Sequence, residues 1–255
     1  MRKIDINCDM GESFGNFKVG HDEEIMPLIT SANVGCGFHG GDPVTMERTV
    51  ALAKDHGVGV GAHPALPDLM GFGRREMKIT REEARAYLLY QTGALKAFLE
   101  TRGMDLQHVK PHGAFYTLLR KEEELARAVS EAILDLDKKL YWFMPVPNRA
   151  ADVAESMGVK VVGEMYVDMD YGPDGGLVVR REQFMHKPDP KATAERLVRY
   201  LDSGKVRTTE GKELEISAKS VSVHGDTMNA PAALRVIRAE LKSHGVEVTS
   251  IRNIV

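Results

Sequence analysis

KIDINCDMGE (3–12) opens the chain with Ile4, Ile6 and Cys8 alternating against Asp5, Asn7 and Asp9. Side chains two apart in a strand share a face, so the alternation sends the two acids and the amide to one side. If that side is the inside of a barrel, polar groups are stacked toward one rim. A carboxylate in such an interior costs several kcal/mol unless it meets a cation, a metal or hydrogen-bond donors. Six further short apolar runs also stop at polar clusters: ITSANVGCGFHGGDP (29–43), GVGVGAHPALPD (57–68), HVKPHGAFY (108–116), LYWFMPVPN (140–148), VKVVGEMYVDMD (159–170) and SVSVHGD (220–226). Apolar runs of this length fit strands buried on both faces, as in a parallel sheet. If all run parallel, their ends share one rim and gather Asp9, Glu12, His39, His63, Lys110, His112, Glu164, Asp168, His224 and Asp226. Parallel α/β barrels carry their active sites there, so the spacing predicts an enzyme.

Helical patterns fill the gaps. Asp42-Pro43 is an N-cap followed by proline at the first helical position, opening a helix over 42–56. Thr80 and Glu83 form a capping box for a helix to about Arg102. Further helices are expected over 121–136, 148–157, from Asp189-Pro190 to about Leu201, and over 230–244. Strands alternating with crossover helices predict a distorted seven-stranded parallel (β/α) barrel, with an open doubly wound sheet as the alternative. One domain over 1–255 is expected, since no Pro/Gly/Ser-rich linker divides the chain. VRTTEGKELEI (206–216) reads as a β-hairpin insertion turning at Glu210-Gly211.

Composition narrows the function. A net charge of −3 offers no basic field for nucleic acid or an anionic membrane surface. No apolar stretch approaches the ~18–20 residues needed to span a bilayer. MRKIDINCDM enters a strand directly without a signal-peptide core, and two cysteines, Cys8 and Cys36, make no secreted disulfide framework. Both features predict a cytoplasmic protein.

The rim residues suggest two chemistries. Neutral imidazoles from His39 and His63 with Asp9 are candidates for a divalent metal that activates water. Alternatively, an imidazole beside a carboxylate is a metal-free general base, and HGD (224–226) fits one oriented by a nearby acid. GCGFHGG has the spacing of a dinucleotide turn, but the next strand ends in His63 instead of the expected acid. Its amides are better read as a tight turn at a helix N-terminus that can hold an anion. Arg74, Arg75 and Lys110 supply cations for a carboxylate or phosphate. No GxxxxGK[ST] loop is present, so a nucleotide is not held in a P-loop.

Five blocks, DINCDMGESFG, ITSANVGCGFHGGDP, GVGVGAHPALPD with GFGRR, HVKPHGAFY and VSVHGD, together resemble the LamB/YcsF family over nearly the whole chain. One block departs: in EMYVDMDY (164–171) Glu164, Asp168 and Tyr171 match, but Met169 stands where the family usually has arginine. The resemblance implies a seven-stranded barrel similar to sugar deacetylases. It also implies the A component of a 5-oxoprolinase that works with subunits B and C to open 5-oxoproline to glutamate, with ATP as co-substrate. On that reading Asp9 with His39, His63 or His112 handles the water, and His224 and Asp226 serve proton transfer or orientation. Arg74, Arg75 and Lys110, with Glu12, Glu164 and Asp168, hold substrate or a phosphoryl group. Two rivals remain at this point: a stand-alone metal-dependent amide hydrolase or deacetylase without ATP, and a non-catalytic binding subunit.

Overall fold

The computed structural model describes residues 2–178 and 189–255. In chain order the elements are β1 (Arg2–Met10), α1 (Asp22–Ile25), β2 (Ser31–Gly35), α2 (Pro43–His56), β3 (Gly59–His63), α3 (Arg81–Thr101), β4 (Leu106–Val109), α4 (Gly113–Lys121), α5 (Glu123–Leu136), β5 (Tyr141–Pro145), α6 (Arg149–Ser156), β6 (Lys160–Tyr166), α7 (Pro190–Ser203), β7 (Lys205–Arg207), β8 (Glu213–Glu215), β9 (Ser220–Val223), α8 (Ala230–Ser243) and β10 (Val246–Val248). Strands β1 to β6 and β9 pair in parallel in that order, and β9 pairs back onto β1, which closes a seven-stranded barrel. The open-sheet alternative is thereby excluded. Strand β10 adds beside the first residues of β1, with Arg2 opposite Val246, at the end away from the polar rim. Outside the barrel, β7 and β8 form an antiparallel hairpin, and Gly211 turns at φ 80°.

Local signals explain several boundaries. The Asp42 side chain accepts from the Val44 and Thr45 amides at the start of α2, and Gly57 closes that helix in the left-handed conformation. Thr80 and Glu83 form the reciprocal capping box of α3. One expectation is corrected. The strand in HVKPHGAFY stops at Val109, and an unexpected helix, α4, begins at Gly113 ahead of α5, which fills the segment expected as a helix over 121–136.

The barrel has a divided interior and exterior. Outward-facing Ile4, Ile6, Cys8 and Met10 of β1 pack in one cluster with Leu197, Leu234 and Ile237 of α7 and α8. Val109, Trp142 and Met144 pack similarly with Leu88, Val129 and Ile133. Each such fully buried side chain contributes about 1.5–3 kcal/mol. Inside, the same strands bury Asp5, Asn7, Ser31, Asn33, Gln107, His108, Glu164, Ser220 and Ser222. Two inward glycines make the room. A Cβ on Gly59 would lie 2.3 Å from the Gln107 amide, and one on Gly61 would lie 2.2 Å from the His108 ring. The register between β3 and β4 jumps from Val60↔Leu106 to Gly61↔His108. This bulge lets Gln107 and His108, successive residues, both turn inward.

Candidate active site

The polar interior is a continuous hydrogen-bonded column. At its base Asp5 accepts from Thr30 and Ser31, each at 2.7 Å, and from Ser220 at 2.5 Å. Burial still raises the Asp5 pKa above the ordinary carboxyl value, with those hydroxyls partly offsetting it. One layer up, Asn7 donates to Glu164 at 2.8 Å, and Asn33 donates to Asn7 at 2.9 Å. His108 contacts the Asn33 carbonyl oxygen at 2.7 Å. Above them the Lys110 ammonium donates to Asn7 at 3.0 Å, Asp9 at 3.1 Å and Ser222 at 2.9 Å.

Lys110 sets the charge of this layer. Burial alone would lower its pKa, but Asp9 and Glu164 outweigh that and hold it above the usual lysine value. Burial likewise works against ionised Asp9, yet His63 and Lys110 hold its carboxyl well below the ordinary range. Asp9 is therefore an anion pinned by Lys110 and Asn33, and both of those bonds fall on Oδ1. Among the described residues no hydrogen bond engages Oδ2. Glu164, expected at the substrate, instead lies beneath Lys110, 3.6 Å from it and fully buried.

Beside Asp9 the end of β3 and the loops after β1, β2 and β4 bring His63, Glu12, His39 and His112 together, their candidate ligand atoms all within 4.8 Å of one another. His39 and His112 stack with ring centres 3.9 Å apart, and His39 Nε2 lies 2.8 Å from Glu12 Oε1. The loop beneath needs a glycine: at Gly73, φ 65°, a Cβ would lie 2.8 Å from both the His112 ring and His39 Cβ. Preceding it, Phe72 holds φ 52°, and its carbonyl accepts from His112 Nε2 at 2.9 Å.

Those backbone contacts fix the tautomers. A carbonyl only accepts, so His112 carries its hydrogen on Nε2, and His63, with Nδ1 2.5 Å from the Lys110 carbonyl, carries its hydrogen on Nδ1. The facing atoms, His63 Nε2 and His112 Nδ1, are then both lone pairs, only 2.9 Å apart. Two acceptors at that distance repel unless a cation lies between them. A proton is disfavoured there: burial pushes His63 down to about 4, and burial with the neighbouring imidazoles pushes His39 and His112 well below the usual value. Three neutral imidazoles and one carboxylate, with two rings aimed by backbone carbonyls, fit a divalent metal. The cluster differs from the candidate set Asp9, His39 and His63: Asp9 lies beside it, 3.5 Å from His63, and bonds Lys110, while Glu12 and His112 stand with His39 and His63. In this structure burial, then Asp9 and Asp226, hold Glu12 well above the ordinary carboxyl value.

Across the mouth stands a different imidazole. His224 Nδ1 lies 3.1 Å from Asp168 Oδ2, and the His224 amide donates to the same oxygen at 2.8 Å. Burial would lower His224, but Asp168 outweighs it and raises the ring's pKa, and the pair lowers Asp168 against its own burial. The acid orienting this ring is thus Asp168, expected to hold substrate. Asp226, two residues from His224, instead accepts from Arg74 at 2.7 Å. Arg75 turns outward, 68% exposed, and pairs with Asp68. In the glycine turn after β2, read as an anion site, the Gly37 amide donates to the Gly40 carbonyl and the Gly41 amide to that of Glu12, and the Asp42 carboxylate occupies the N-terminus of α2.

A pocket opens where these groups meet, lined by Asp9, His63, Lys110, His112, Arg74 and His224 and completed by Tyr116, Tyr166, Met169 and Leu177. Met169 puts an apolar side chain in that wall, and the residue is buried. Sequence reasoning missed Asn33, His108, Tyr116 and Tyr166. Asn33 was reachable, since Ser31 and Asn33 alternate as Asp5, Asn7 and Asp9 do; Tyr116 required knowing that a helix starts at Gly113.

A closed seven-stranded parallel barrel with buried carboxylates and imidazoles at the C-terminal mouth of its strands sets the protein's class, a (β/α) barrel with a polar mouth. A solved peptidoglycan N-acetylglucosamine deacetylase shares the fold at 10% identity and TM-score 0.52, covering 98% of this chain and 86% of that one. Within that class the chain belongs to the LamB/YcsF family, whose sequence profile matches residues 4–255. A Pyrococcus abyssi protein that bears the name of the 5-oxoprolinase A component is 50% identical over 253 residues, 99% of each chain. The crystal structure of a lactam utilization protein from Thermus thermophilus superposes with TM-score 0.89 at 44% identity, covering 97% of this chain and 99% of that one.

Proposed function

We propose that the chain is the A component of an ATP-dependent 5-oxoprolinase, hydrolysing the lactam of 5-oxo-L-proline to L-glutamate together with subunits B and C. The observation that carries this reading is the pocket between Asp9, Arg74, Lys110 and His224, in a chain half identical to proteins bearing that name. A lactam nitrogen is a poor leaving group, so the amide oxygen is first phosphorylated by ATP, releasing ADP. Arg74 then holds the substrate carboxylate. Asp9 Oδ2 takes a proton from the water that adds to the ring carbon, while Lys110 keeps the carboxylate in place. His224, protonated beside Asp168, gives its proton to the ring nitrogen as the carbon–nitrogen bond breaks. The resulting acyl phosphate yields glutamate and phosphate with a second water. Glu12, His39, His63 and His112 would hold a divalent metal, which supplies Lewis-acid polarisation and a more acidic water when bound.

The remaining surface supports partners at the mouth. Phe17, Met70 and Met228, on the loops after β1, β3 and β9, stand 67%, 90% and 57% exposed. No helix among the described residues is long and apolar enough to cross a membrane, and unpaired, buried Cys8 and Cys36 suit the cytoplasm. The metal cluster favours one rival, a stand-alone metal-dependent amide hydrolase. Reconstitution with subunits B and C, ATP and 5-oxoproline, with and without chelator, decides between them. Glutamate and phosphate should appear together and only in the full assembly; glutamate release by the chain alone without ATP would establish the rival.

A further inference from the structure

Most polar groups lining the pocket already have partners in the protein. Asp9 is held by Lys110 and Asn33, His224 by Asp168, His63 and His112 by backbone carbonyls. The Tyr166 hydroxyl donates to Glu164 at 3.2 Å. Tyr116 differs: its hydroxyl oxygen is buried and has no hydrogen-bond partner among the described residues. A buried hydroxyl left unmatched is a standing penalty, so its retention in a pocket wall points to a ligand atom as the missing partner.

Its position suits that role. The α4 helix is docked by the Ala114 amide, which donates to the Gly73 carbonyl at 2.9 Å, so its first turn lies against the loop carrying Phe72 and Arg74. Tyr116 sits on that turn and lines the same pocket as Asp9, Lys110 and His224, with Pro111, Met169 and Leu177 as apolar neighbours. The charged groups acting on the phenol are Arg120, Glu164 and Asp174, two of them acids, and burial keeps it in its neutral form. A neutral phenol donates one hydrogen bond, which an amide carbonyl oxygen accepts.

We infer that the Tyr116 hydroxyl donates a hydrogen bond to the ring carbonyl oxygen of a small cyclic amide, and so selects a lactam over an equally sized ring without that oxygen. The assignment deepens the functional reading above and rests on it. Arg74 anchors the carboxylate at one end, and Tyr116 reads the amide at the other. A site built to satisfy its own buried polar group discriminates against a ligand that leaves it unpaired.

The test uses the reconstituted assembly with Tyr116→Phe, which removes one oxygen and keeps the ring. The KM for 5-oxoproline should rise about tenfold, the scale of one lost hydrogen bond. The inhibition constant of cyclopentanecarboxylate, which keeps the ring and carboxylate but lacks the amide, should not change. Because the lost hydroxyl has no partner among the described residues, the Tm should stay level or rise. An unchanged KM overturns the assignment, as does a parallel loss for both compounds or a fall in Tm. If wild-type assembly releases no glutamate, the functional reading falls and takes this one with it; normal wild-type turnover with an indifferent Tyr116→Phe sinks this one alone.

Discussion

Two sets of imidazoles face each other across one barrel mouth and sit on opposite sides of neutrality. His39, His63 and His112 are driven toward the neutral form, while His224 is held toward the cation. Burial acts on all four alike, so burial does not separate them. The difference is the company. His224 has the ionised carboxylate of Asp168 at 3.1 Å, whereas the other three crowd one another around Glu12. One side therefore offers lone pairs to a cation, and the other offers a proton to a substrate.

Asp9 stands between the two sides, so its loss should have the largest effect. Asp9→Asn keeps the shape and the contact with Lys110 but removes the base. The expected fall in kcat of the assembly is about 10²–10⁴-fold, the usual worth of general-base catalysis. An Asp9→Asn assembly with normal turnover would show that the water is handled elsewhere and that the mouth is not organised around this carboxylate.

The cation-seeking side is tested by direct metal analysis. The wild-type chain should bind about one equivalent of a divalent ion such as Zn²⁺, and its Tm should rise with added metal. His112→Ala should abolish both effects, whereas His224→Ala, on the other side, should leave both intact. Equal loss in the two variants would erase the distinction drawn between them.

The proton-giving side is tested through Asp168→Asn. Removing the carboxylate leaves His224 in place without its charged partner, and its pKa should fall. The alkaline limb of the kcat/KM profile should then move to lower pH. The same linkage acts on stability. His224 has a raised folded pKa, so its contribution is fully present below its unfolded value of 6.5 and is lost as pH rises through the folded value. His63, lowered to about 4, works the other way: its contribution is complete above 6.5 and is lost as pH falls from 6.5 toward about 4. Thermal melts across this range should therefore show a Tm advantage of wild type over His224→Gln that is largest below pH 6.5 and shrinks above it. A constant difference would mean that His224 does not titrate in the fold.

How much of this was written in the sequence differs by level. Short apolar runs ending at polar clusters marked the seven strands, and the helices between them gave their common direction, because parallel neighbours need long crossover connections. The inward set Asp5, Asn7 and Asp9 followed from the period of two. The partners of each acid did not follow. HGD suggested Asp226 as the acid beside His224, yet adjacent residues turned to different tasks and Asp168, on another loop, took that role. Asp9 was the expected carboxylate beside the histidines and Glu12 a substrate contact, yet Glu12 lies in the histidine cluster and Asp9 meets Lys110. Such pairings depend on loop geometry and side-chain reach, which periodicity does not encode. The bulge that turns both Gln107 and His108 inward breaks the period outright.

The smallest expected effect concerns the arginine pair that the sequence could not divide. Arg74 is largely buried, with its side chain 13% exposed, tied to Asp226 and lying over the Phe72 ring at 5.1 Å. Arg75, one residue on, reaches out of the mouth to Asp68. Its partner Asp68 is buried and also accepts from the Gly71 and Arg75 amides, so the pair holds the loop and does not face the pocket. Arg75→Ala should therefore leave KM and kcat nearly unchanged, while Arg74→Ala should raise the KM for 5-oxoproline. A comparable KM increase in both variants would mean that the loop carrying them re-forms around the substrate, bringing Arg75 back to the mouth.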